Sequence, residues 1–216
     1  MRPHNSIALA AALSLSIALS ANAAEFSDLN VSGSILPSAC TISLSPSTID
    51  YGTIPAGSLS DTALTPLQHR PLSVMISCSD PTVTALSFED NRAGTEGDSA
   101  LTSETWFGLG EFEGKPLGAF QIVRTSDSVT ANGDDVGTIE YTRSNSWLQM
   151  NTDYPQVSAR SGYKLSWSAA GTVPLAYKNV VVPLAVRPML IGKQSMPSLA
   201  DVVPLDGLAT ISLVYL

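Results

Sequence analysis

The 216-residue sequence predicts an all-β sandwich. Three observations carry that expectation. Apolar residues recur with a period of two at 29–35, 40–44, 72–78 and, most cleanly, at Ala209, Ile211, Leu213 and Tyr215. That spacing places one face of an extended chain in a core. Fifteen glycines and fourteen prolines punctuate the chain at short intervals, the turn chemistry of a protein made of short strands. No stretch carries the 3.6-residue period of an amphipathic helix.

The chain opens on a secretory leader. Arg2 supplies a positive start, the apolar run 7–19 is too short to span a bilayer, and Ala21-Asn22-Ala23 has the small-x-small form of a cleavage site. Cleavage after Ala23 is expected. It leaves an exported chain whose N-terminal extension is 24–36 and whose β-sandwich domain is 37–216.

In 26–44, Leu29, Val31, Gly33 and Ile35 alternate with polar residues. Pro37 interrupts them, because proline has no N–H to give a ladder. Cys40, Ile42 and Leu44 then resume the same period, so the pattern reads as one strand split in two. The stretch 45–59 reads as connection, with 49–52 a candidate edge piece. Strands are expected at 72–78 and 83–88, a polar loop at 89–103, and strands at 106–109 and 117–123 around the turn glycines Gly110 and Gly114. Asn132-Gly133 is a hairpin signal between Val129 and Ile139. A strand with Trp167 is expected at 164–168. The β-branched run 180–190 contains Pro183 and Pro188, which assign it to an edge or a bulge. Asp206-Gly207 turns the chain into the last strand, whose outer edge has no following chain to cover it.

Cys40 and Cys78 are the two cysteines. An even count in an exported chain reads as a disulfide, with two buried free thiols as the alternative. The formal net charge is −8, and no run of Lys or Arg appears. That balance argues against nucleic acid and against anionic membrane surfaces as partners.

A catalytic set is missing from the pattern. No nucleophile elbow or phosphate-binding loop is present. His69, the one histidine beyond the leader, sits between Gln68 and Arg70 with no motif around it. Glu89-Asp90 and Asp134-Asp135 lack the alternate-position spacing of a calcium loop and read as solvated acids. Trp106, Trp147 and Trp167 read as core residues first and a sugar platform second. The expectation is a non-enzyme with no cofactor and no metal.

Taken in order, the leader, the alternating 29–35, the cysteine pair, the all-β body and the terminal strand with its penultimate Tyr215 resemble subunits of chaperone–usher fimbriae. The run VSGSILPSACTISL followed by DYGTI is similar to a bacterial family of exported fimbrial-like proteins known as a domain of unknown function. The resemblance implies an immunoglobulin-like β-sandwich, incomplete for want of its last strand, with long loop insertions at 89–116 and 124–162. It also implies a fimbrial (pilus) subunit that acts in adhesion. Its partners would be a periplasmic chaperone, an outer-membrane usher and other fimbrial subunits, and its route would run through the periplasm to the cell surface. Carried onto this sequence, Leu29, Val31, Gly33 and Ile35 match the donor strand. Ala209, Ile211, Leu213 and Tyr215 match the groove-lining, chaperone-contacting strand. A tip adhesin, or a stand-alone module binding carbohydrate or a host surface, is the alternative reading.

Overall fold

The computed structural model describes residues 27–34, 38–150 and 155–216. The chain divides into two units, residues 1–36 and 37–216. In the first, the predicted leader 1–23 and Ile35 lie outside the described residues. Residues 27–34 carry no strand, and their side chains are exposed. Among the described residues, the strand read as split in two shows only its second half, from Cys40.

The described residues of the second unit form thirteen strands. In chain order they are β1 (Cys40–Ser45), β2 (Thr65–Pro66), β3 (Arg70–Asp90), β4 (Phe107–Gly108), β5 (Glu111–Phe112) and β6 (Lys115–Pro116). They continue as β7 (Gly118–Arg124), β8 (Ser128–Ala131), β9 (Asp134–Tyr141), β10 (Trp147–Gln149), β11 (Lys164–Ser168), β12 (Ala176–Leu190) and β13 (Ala209–Tyr215). No α-helix occurs among the described residues, and no helix there is long and apolar enough to cross a membrane. The fold is all-β, as the periodicity predicts.

Two separate sheets, however, do not describe it. Hydrogen bonding runs β3–β11–β9–β8–β12 and returns from β12 to β3, closing a ring. Two long strands make the closure possible. The expected strands at 72–78 and 83–88 are one 21-residue strand, β3, and β12 runs antiparallel to it from Ala176 to Val186. The region 124–162, expected as loop insertion, supplies β8 and β9 to the ring. Its turn is the predicted one: Ala131 pairs with Asp134 across Asn132 and Gly133, both at positive φ.

The prolines explain why continuity was hidden. β12 is not an edge strand but lies between β3 on one side and β7 and β8 on the other. In a strand, a residue's N–H and C=O point to the same edge. The Pro183 carbonyl accepts from Thr125 N–H, so its absent N–H falls on the β7/β8 side. That spot lies between the end of β8 pairing at Val181 and the start of β7 pairing at Leu184. The Pro188 carbonyl accepts from Leu67 N–H, and its missing donor falls between the β3 and β2 pairings at Val186 and Met189. Pro81 likewise sits in the irregular stretch of β3 opposite Tyr177–Asn179, where the ladder skips. Each proline occupies a gap between neighbours, where no donor is required.

The core lies inside the ring. β3 buries Leu72, Val74, Ile76 and Cys78 with a period of two and, beyond its irregular stretch, Thr84, Ala85, Leu86 and Phe88. β12 answers with Val180, Val182 and Leu184, and Trp167 of β11 is fully enclosed. Each such side chain contributes roughly 1.5–3 kcal/mol through burial. Cys40 and Cys78 face each other in the β1–β3 register and form a disulfide, as expected.

Candidate functional site

The strand β13 is assembled from the turn upward. Asp206 is clamped by Arg92, whose Nη2 and Nε donate to Oδ2 at 2.7 and 3.0 Å, while its own N–H donates to the Leu109 carbonyl at 3.0 Å. Gly207 follows where a Cβ would come within 3.0 Å of Leu109 and Phe120, so only glycine passes this point without displacing core side chains. Asn91 then donates from Nδ2 to Thr210 Oγ1 at 3.0 Å, and Ala209 to Tyr215 run antiparallel to Asp90 to Thr84.

β3 is the strand that β13 pairs with among the described residues. β1 also pairs with β3 alone, over Val74 and its neighbours. The two meet end to end, where Cys40 N–H donates to Tyr215 Oη at 3.0 Å. Along β3, then, β13 and β1 each pair through one edge, and no strand among the described residues pairs with the other.

Burial on this margin is partial. Cys40, Ile42 and Leu44 of β1 and Ala209, Ile211 and Leu213 of β13 pack against the core, yet none is fully buried. Thr210 and Ser212 point outward and are exposed. Tyr215 departs from the expected inward set. It is 53% exposed, and its hydroxyl is used on the β1 backbone. The chain leaving β1 and the chain entering β13 together line a groove of about 820 Å³. Ile49, Ile54 and Leu205 form part of its wall, together with the core residues Leu59, Leu117 and Leu190.

Leu29 and Val31 are 88% and 83% exposed, and nothing stands within 4 Å of a Cβ placed on Gly33.

The other candidates fall into structural roles. His69 is exposed between β2 and β3. Asp90, read from sequence as a solvated loop acid, instead anchors a turn: its two carboxylate oxygens accept from Arg92 N–H at 2.8 Å and Gly108 N–H at 2.9 Å. Burial is the leading cause of its raised pKa. Trp167 is enclosed, Trp147 packs on Tyr141 at 5.2 Å between centroids, and Trp106 lines a surface cavity, so the three do not share one platform. Sequence reasoning missed Glu104, which ties the 99–106 loop to 158–163 through Arg160 and Tyr163 and to the 142–146 turn through Arg143. Its partners lie 39 to 59 residues away, and no local pattern announces them.

A family model described as "Protein of unknown function (DUF1120)" matches residues 29–110, less than half of the sequence. The chain is also similar to the "Uncharacterized protein YhcF" of Escherichia coli (strain K12), 25% identical over 240 aligned residues that cover 98% of this chain and 100% of that protein.

Proposed function

We propose that this protein is a structural subunit of a surface fimbria, exported to the periplasm and assembled by strand addition along the chaperone–usher route. In this reading the ring is an immunoglobulin-type sandwich bridged by β3 and β12, and it lacks the strand that would lie against β13. A periplasmic chaperone occupies that place first. At an outer-membrane usher, the alternating segment Leu29, Val31, Gly33 and Ile35 of another subunit replaces it, and the finished fibre serves adhesion.

One observation carries the reading. β13 and β1 pair on a single edge while their inward apolar side chains remain only partly buried. Unpaired apolar edges are liabilities that proteins normally cover. Strand addition covers them by giving backbone ladder bonds and filling alternate pockets with side chains. The Cys40–Cys78 disulfide is compatible with export to an oxidising compartment.

The test is to titrate residues 24–216 with a synthetic peptide of residues 27–36. A saturable rise in melting temperature is expected, together with new exchange protection of the β13 amides. At a hundredfold excess over its dissociation constant the peptide would add about 2.7 kcal/mol of stability. A Val31→Asp peptide should have no effect. A monomer that melts cooperatively and ignores the wild-type peptide would overturn the reading.

A further inference from the structure

Away from the open edge, a second concave site lies on the outer face of β3 and β13. It is a cavity of about 600 Å³ bounded by the 99–106 loop, the 159–164 loop and the ends of both strands. That size is within the range of about 300–1,000 Å³ typical of small-molecule sites. We propose that this cavity binds an uncharged pyranose sugar unit, a role independent of strand addition.

The walls are held in place without a ligand. The Glu104 carbonyl accepts from Ala159 N–H at 2.7 Å and from Ser158 Oγ at 3.3 Å. The Glu104 carboxylate accepts from Tyr163 Oη at 3.0 Å and lies 3.3 Å from Arg143 and 3.5 Å from Arg160. Two loops distant in sequence are latched together at one side chain, so binding need not order them.

The lining combines ring surface with hydrogen-bonding groups. Trp106 and Tyr163 contribute aromatic area, and Ser87, Ser103 and Ser161 contribute hydroxyls. A pyranose presents that pairing in reverse, with C–H faces for aromatic surfaces and hydroxyls around its rim. Charge narrows the class. Glu89, Asp90, Glu96 and Glu104 face two cations, Arg160 and Lys164, so an acidic sugar meets net repulsion. Three of the four acids are also engaged already. Asp90 accepts two backbone N–H groups, Glu96 accepts Gly94 N–H at 3.1 Å, and Glu104 is held by its guanidinium partners. The lone pairs they retain suit the hydroxyl donors of a sugar rim. Lys164 in turn rests over the Tyr141 ring at 4.6 Å.

The test uses residues 24–216 and the methyl pyranosides of glucose, galactose, mannose and N-acetylglucosamine, read by saturation-transfer NMR. N-acetylneuraminic acid, glucuronic acid and a lysine amide serve as charged probes. Saturable binding of at least one neutral glycoside is expected, weakened at least tenfold by Trp106→Ala and abolished by Ser161→Trp. Ser161 is exposed, so the second variant fills the cavity without touching the core and should retain the wild-type melt. Three results overturn the proposal: no neutral glycoside binds, only a charged probe binds, or Ser161→Trp binds as the wild type does.

Discussion

Replacing Cys40 and Cys78 together with alanine tests how the margin of the sheet is held. The bridge closes a loop with a sequence separation of 38. Chain-entropy arithmetic for a loop of that size gives about 4 kcal/mol at 25 °C. Urea slopes for domains of this size are on the order of 2 kcal/mol/M, so the midpoint should fall by about 2 M. The loss should also be local. β1 is held to the rest of the sheet by β3, and its Cys40 N–H holds the Tyr215 hydroxyl. Hydrogen exchange should therefore accelerate first in Cys40–Ser45 and at the end of β13, while the amides of β12 follow global unfolding. A variant with an unchanged urea midpoint, or with β12 opening before β1, would refute this account of the margin.

Two further outcomes follow from the ring. Pro183→Ala should cost no more than about 1 kcal/mol, since the added N–H faces a gap in pairing, whereas Val182→Pro should cost about 1–3 kcal/mol by orphaning a buried acceptor on β3; equal urea midpoints for the two would contradict the gap argument. Burial pushes the Glu140 carboxyl up to about 7 from 4.5, with Arg124 opposing and Glu104 assisting. The folded state thus holds the proton more tightly. Its contribution is complete below about 4.5, is lost as pH rises to about 7 and is flat above. Glu140→Gln should flatten the pH slope of the urea midpoint in that window, and an unaltered slope would exclude the assignment.

Local chemistry is what the sequence alone determined. The period of two marked the inward residues of β1, β3 and β13 because a strand's side chains alternate faces wherever the strand lies. Asn132-Gly133 set the β8–β9 hairpin because positive φ at both positions is a property of those residues, not of their surroundings. The cysteine pair needed only an even count and an oxidising route. Tertiary structure decided the rest. Pro183 and Pro188 read as marks of an edge or a bulge until neighbouring strands showed where donors were not required. Closure of the ring depended on β3 and β12 pairing along most of their lengths, and no alternation pattern encodes partner identity. Trp106, Trp147 and Trp167 look alike in sequence, yet one lines a cavity, one packs on Tyr141 and one is enclosed. The latch at Glu104 and the margin of β13, unpaired among the described residues, share one cause. Both depend on which distant segments come together or stay apart, and that is settled by packing the whole chain rather than by any stretch of it.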